Sequence, residues 1–258
     1  EVIIEPDMLH VRIPGEREWA SFPEQPDVHT LERTFEAQIN TSEYCLRLRR
    51  QDVKQNWNIE LNGQPLGRLR IDENDMVEFF SLPPGSLVDG ANQLTISQDT
   101  GRNTTPDDIR IGEIAMWESS VDEVLNQARL QIEAVDEQGG HLPAKITITH
   151  VGGALQTLGV SSNAHLAVRP GIVYTSTGRA ELGVPAGEYE VTVGRGFEYS
   201  LAKQTISVAA GDRESLKLAI RREVDTTGYV ACDTHVHTLT HSGHGDASVQ
   251  ERMITLAG

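Results

Sequence analysis

Short runs rich in Val, Ile, Leu and Thr recur about every ten residues from the start of the chain to about residue 222, with polar residues alternating inside them. A period of two sends successive side chains to opposite faces of an extended strand, so this rhythm predicts half-buried strands. It is clearest at Trp57–Leu61, which ends in Asn62-Gly63 and resumes from Leu66 to Ile71. Asn-Gly takes the two positive φ angles of a two-residue hairpin turn. Further strands are expected at Phe35–Ile39, Tyr44–Leu48, Met76–Phe80, Gln93–Ser97 and Ile109–Trp117, with turns at Pro83-Pro84-Gly85 and Asp89-Gly90. Residues 119–128 are polar and weakly helical without a long apolar face, and read as a linker or one short helix. A second set follows at Leu130–Val135, Lys145–His150, Arg179–Gly183, Glu188–Val193, Gln204–Val208 and Ser215–Ile220. The Gly/Ser-rich span 152–177, with His165 and Pro170, reads as an extended insertion between strands.

The fold class expected is therefore mainly β, two tandem β-sandwiches over residues 1–120 and 128–224 with a linker at 121–127. Each is large enough to bury its own core. The chain of 258 residues carries 22 Lys+Arg against 38 Asp+Glu, a net charge of −16. That balance excludes a general nucleic-acid or anionic-membrane binder, which needs clustered basic side chains. No apolar run approaches the roughly 20 residues of a membrane-spanning helix. Two distant cysteines, Cys45 and Cys232, exclude a disulfide scaffold and a four-cysteine zinc site. Both are expected to be buried as small apolar residues, Cys232 on the face of its strand away from the histidines.

The last thirty residues differ from everything before them. Four of the nine histidines, His235, His237, His241 and His244, fall within ten positions, behind the apolar run Tyr229-Val230-Ala231-Cys232. If Asp233-Thr234-His235-Val236-His237-Thr238 is a strand, Asp233, His235 and His237 share one face. Two imidazoles about 7 Å apart along a strand can converge on one cation. A carboxylate beside them can accept the free ring N–H and fix the metal-binding tautomer, a role that fits Asp233. Downstream, Ser248-Val249-Gln250-Glu251 has the form of a capping box, followed by Val249, Met253, Ile254 and Leu256 at helical spacing. Residues 225–258 thus read as strand, histidine-rich loop and helix, the first βα unit of a barrel with its chemistry at the carboxyl end of the strand.

This motif, Asp233-Thr234-His235-Val236-His237-Thr238 and then Asp246 before a capped helix, resembles the opening of the PHP (polymerase and histidinol phosphatase) metallohydrolases, most closely their carbaryl-hydrolase-like (CehA/McbA-type) branch. The resemblance implies a distorted barrel, two or three divalent ions (Zn, Mn or Fe), and hydrolysis of phosphoesters or of carbamate, ester and amide bonds. It assigns His235 and His237 as the leading ligands and Asp246 as the third, with His244 a rival because the loop Leu239–Gly245 is longer than the common pattern. It also implies that these 258 residues hold only the beginning of the barrel, so that the remaining ligands and the catalytic residues lie outside them and this piece alone is inactive. Residues 30–118 are similar to galactose-binding-like jelly rolls, and residues 128–222 to transthyretin- or carboxypeptidase-regulatory-like sandwiches through the Val184–Tyr189 turn.

Other readings stand beside this one. His235 and His237 can belong to a solvated histidine-rich tail, and Asp246 can be a helix-start acid favoured by the dipole. A related barrel, of the amidohydrolase type, also opens with His-x-His. A non-enzymatic alternative is a two-sandwich carbohydrate or cell-surface binding module, with contact through Trp19, Trp57 or Trp117, although strand aromatics belong to the core more often. Asp72-Glu73-Asn74-Asp75 and Asp107-Asp108 could bind Ca²⁺, but they lack the spacing of a calcium loop and read as solvated turns. His10, His29, His141, His150 and His165 show no partner pattern. The chain opens at Glu1; with paired sandwiches this suits an exported protein, periplasmic or extracellular, the cytoplasm being the alternative.

Overall fold

A computed structural model describes residues 1–101, 104–243 and 245–258. The chain is mainly β and divides into two units, Glu1–Val124 and Leu125–Gly258. The division falls inside a short helix at the position where the apolar alternation stops.

The first unit contains β1 (Val2–Glu5), β2 (Leu9–Val11), β3 (Leu31–Ala37), β4 (Tyr44–Gln51), β5 (Trp57–Leu61), β6 (Gln64–Arg68), β7 (Met76–Leu82), β8 (Gly90–Gln98) and β9 (Ile109–Trp117), ending at α1 (Val121–Leu125). One antiparallel sheet places β9 between the pair β1 and β2 on one side and β4 on the other, with β7 beyond β4. The other runs β3-β8-β5-β6. The residues that alternation turns inward, among them Leu46, Leu48, Trp57, Ile59, Leu94, Ile96, Ile109 and Ile111, form one buried cluster. Asn62 and Gly63 have φ of 54° and 72°, as the β5–β6 hairpin requires. β1 and β2 are the strands that the apolar pattern did not single out, because each is only three or four residues long.

The second unit contains β10 (Ala128–Val135), β11 (Ala144–His150), β12 (Leu155–Gln156), β13 (Leu166–Arg169), β14 (Ile172–Thr175), β15 (Arg179–Val184), β16 (Gly187–Gly194), β17 (Ala202–Val208) and β18 (Arg213–Ala219). The helices α2 (Leu239–Ser242) and α3 (Val249–Ala257) follow. A three-stranded sheet runs β15-β10-β18, with β10 and β18 parallel. An antiparallel sheet joins β13, β14, β11, β16 and β17 in that order. The Pro185-Ala186 turn therefore does not close a hairpin: β15 pairs with β10 while β16 pairs with β11, so the turn carries the chain from one sheet to the other. Inward residues of both sheets, including Leu130, Ile132, Ile146, Ile148, Leu182, Tyr189, Val191 and Val193, form the core.

Two expectations are corrected here. The span 152–177 is not a plain insertion, since β13 and β14 form a hairpin and β14 pairs with β11. Flanking Gly, Ser and Thr residues hid two four-residue strands whose Leu166, Ala167 and Val173 are nevertheless buried. Residues 229–238 form no strand, and Tyr229 and Val230 are 83% and 90% exposed. A strand needs a neighbour for its backbone N–H and C=O groups, and no described residue pairs with this segment. The helical half of the anticipated βα unit is present: α3 starts at Ser248 with a complete capping box.

Candidate metal centre

The histidine segment follows the last sandwich strand as exposed, irregular chain. Asp233 is the first fixed point in it. Its Oδ1 accepts the main-chain N–H of His235 at 3.0 Å, a two-residue Asx turn that bends the chain. The expected contact of Asp233 with an imidazole ring is therefore replaced by one with the backbone. Instead of standing about 7 Å apart, the rings of His235 and His237 lie with centroids 4.7 Å apart and Nε2 atoms 2.7 Å apart. Such a contact requires a proton between the two nitrogens, one ring donating and the other accepting.

The pair suits a divalent cation in its donor chemistry. Two neutral imidazoles on a tetrahedral ion with bonds near 2.05 Å sit about 3.3 Å apart at nitrogen. The rings would separate by about half an ångström, the cation taking the place of the shared proton. Both residues are exposed. Among the described residues no third His, Cys, Asp or Glu joins them in a metal-holding group.

Asp246, expected as third ligand, is engaged elsewhere. Its Oδ1 accepts from Arg252 Nη2 at 2.5 Å and its Oδ2 from Arg169 Nε at 3.4 Å. Partial burial pushes its carboxyl upward, but the Arg169 and Arg252 guanidiniums outweigh this and hold it below the ordinary aspartate range. The rival ligand His244 lies outside the described residues. His241 sits in α2, where its main-chain N–H is capped by the Thr238 hydroxyl at 3.3 Å. Thr238 itself is buried, and Leu239 N donates to Ala247 O at 2.9 Å, closing the loop just behind His237.

The cysteines separate in character. Cys45 is buried in β4, and that burial, assisted by the charge of Glu43, pushes its thiol up to about 12. Cys232 is exposed, contrary to the expectation of a buried strand residue, because its segment joins no sheet. Maleimide labelling of the native protein is expected to modify Cys232 within minutes, leaving Cys45 unreacted until denaturant is added. Rapid native labelling of both thiols would contradict the buried setting of Cys45.

Other candidates resolve into structure. Trp57 is fully buried, Trp117 is half-buried against Phe79 and Trp19 is exposed. Asp107 and Asp108 are not solvated turn acids. They are 1% and 0% exposed, and both act as buried acceptors. Asp108 takes His10 Nε2 at 2.6 Å, Arg12 Nη1 at 3.0 Å and the main-chain N–H of Glu18 at 2.5 Å. His29 contacts Arg12 O, His150 lies against the Tyr189 ring, and His141 meets Glu133. The signal for His10 and Asp108 was not in local spacing, since 98 residues separate them.

No family model matches the chain, and no curated protein matches it. Solved structures show distant likeness. The TIE protein of Bacillus anthracis is 18% identical over 84% of this chain and 41% of that one, with a TM-score of 0.28. BcpA, the major pilin subunit of Bacillus cereus, is 12% identical over 74% of this chain and 63% of that one, with a TM-score of 0.27. The β-glucuronidase of Bifidobacterium dentium is 12% identical over 80% and 48%, with a TM-score of 0.28. The chain thus spans from 41% to 63% of the length of these three. None of these likenesses bears on activity. No helix among the described residues is long and apolar enough to cross a membrane.

Proposed function

We propose that this chain is the N-terminal part of a metal-dependent hydrolase of the PHP type and carries the opening segment of its metal centre. The substrates of this reading are small molecules with phosphoester, carbamate, ester or amide bonds. The observation that supports it is the meeting of the His235 and His237 Nε2 atoms at 2.7 Å on an accessible segment, with the capped helix α3 following after α2 and a short loop. In this reading His235 and His237 donate the first two nitrogen ligands to a divalent ion (Zn, Mn or Fe). Asp233 anchors the backbone at His235 through its Asx turn, and Asp246 is the third ligand once it leaves a guanidinium. When bound, such an ion supplies a water of lowered pKa and polarises the oxygen of the bond to be cleaved. Further ligands and the proton-transfer groups come from residues outside these 258, and the two sandwiches are accessory. Export to the periplasm or cell exterior accompanies this reading.

The test is metal content by mass spectrometry on the whole protein and on its His235→Ala/His237→Ala double variant, with phosphoester, carbamate, ester and amide hydrolysis assayed alongside. The double variant is expected to lose both bound metal and hydrolysis. Equal metal loading and equal hydrolysis in the two proteins would overturn the proposal.

A further inference from the structure

We propose that Arg169, on a strand of the second sandwich, is a positioning residue for the metal segment, so that this sandwich sets the geometry of the site. The inference rests on the metal reading above.

Arg169 closes β13, and its guanidinium reaches out of the sandwich to the loop before α3. Nη2 donates to the main-chain oxygen of Asp246 at 3.1 Å, Nε to its Oδ2 at 3.4 Å, and Nη1 to Glu251 Oε1 at 3.5 Å. Nη1 also donates to its own neighbour Val168 O at 2.7 Å, which fixes the direction of the fork. One side chain thus grips a backbone carbonyl and two carboxylates. Arg169 keeps its hold on the main chain of Asp246 whichever way that carboxylate turns.

From Asp246 the restraint passes to the histidines through short, defined links. Ala247, next in the chain, is fully buried, and its carbonyl accepts Leu239 N at 2.9 Å. A Cβ at Gly245 would lie 2.8 Å from the backbone of Thr238, so the two ends of the loop are in van der Waals contact. Thr238 is covalently next to His237. On the other side, Glu251 completes the capping box by accepting Ser248 N at 3.0 Å while Ser248 Oγ accepts Glu251 N at 3.2 Å. Arg169 therefore ties the start of α3, and through it the His237 end of the metal segment, to a rigid sheet. Ligands held in place before the ion arrives do not spend binding energy on being ordered. Arg rather than Lys suits the task because its planar fork serves several acceptors at once.

The experiment titrates Zn²⁺ and Co²⁺ into the whole metal-free protein and into its Arg169→Gln, Arg169→Lys and His235→Ala/His237→Ala variants. It records affinity, the Co²⁺ visible absorption spectrum and the thermal unfolding midpoint. Arg169→Gln is expected to weaken Zn²⁺ binding about two- to fivefold, as for the loss of part-exposed charge contacts, and to change the Co²⁺ spectrum. Arg169→Lys is expected to recover part of both, and the unfolding midpoint of the metal-free protein is expected to stay within a few degrees. An Arg169→Gln variant with unchanged affinity and spectrum, when the histidine double variant has lost binding, overturns the positioning role alone. A fall in affinity that parallels a fall in unfolding midpoint, with no recovery by lysine, also overturns it in favour of a purely structural contact. Undiminished binding by the histidine double variant overturns the metal reading itself.

Discussion

Replacing Asp107 by alanine is expected to destabilise the first unit by about 3 kcal/mol or more, with a fall in Tm of roughly 10 °C. The Oδ2 atom of this buried carboxylate accepts the Trp57 indole N–H at 2.8 Å and the main-chain N–H groups of Gln55 at 2.9 Å and Lys54 at 3.1 Å. Trp57 is fully buried at the centre of the first core. The alanine variant leaves the indole donor with no acceptor in an apolar setting, and frees the backbone that turns into β5. Removing one partner of a buried hydrogen bond costs more than the bond itself contributes, because the stranded group has lost its water as well. Trp57→Phe separates the contributions: it removes only one donor and part of a ring, and is expected to cost about 1 kcal/mol for the hydrogen bond plus a modest packing loss. Chemical denaturation of both variants is the check. A cost below 1 kcal/mol for Asp107→Ala would show that the carboxylate does not pin this corner.

In the second unit the largest loss is expected at Tyr189. Its ring is fully buried in β16 among the inward residues of both sheets, and its hydroxyl donates to Pro185 O at 2.9 Å across the turn that passes between them. Tyr189→Ala is expected to cost about 3–5 kcal/mol, by analogy with aromatic-to-alanine truncations in cores. Tyr189→Phe keeps the ring and loses only the hydroxyl bond, for about 1 kcal/mol. The ratio between the two variants is the informative result, measured by denaturant titration. If both cost the same, the hydroxyl and not the ring carries the contribution, and Tyr189 is a turn anchor more than a core residue.

Both residues show where the sequence could and could not be read. Tyr189 stands in a strand visible from alternation, with its burial given by its phase. Asp107 belongs to a polar dipeptide that reads as a solvated turn, and its burial depends on Trp57, fifty positions earlier in the chain. Arg50 makes the same point. It occupies an inward position of β4, is 0% exposed, and is held by Glu78 Oε1 at 2.7 and 2.9 Å and by the Asn74 carbonyl at 3.1 Å. Alternation puts it inside, but only the neighbouring strand β7 supplies the carboxylate that makes a buried guanidinium tolerable.

The histidine segment divides along the same line. That His235 and His237 lie side by side was legible from their spacing, and the capped helix after them from Ser248 and Glu251. The bend was not legible, since it replaces a strand with an Asx turn at Asp233. Nor was the engagement of Asp246 by Arg169, a residue 77 positions away.

The sequence by itself determined the longer strands of the two sandwiches, which of their side chains face inward, the Asn62-Gly63 hairpin and where α3 begins. These are local matters, governed by side-chain period and by backbone conformations that particular residues favour. Tertiary structure alone decided which strands share a sheet, that the Pro185-Ala186 turn passes between sheets, and which charged groups are buried with which partners. Hydrogen bonding between strands and the cost of an unpaired buried charge depend on groups brought together from distant parts of the chain, and no local pattern records them.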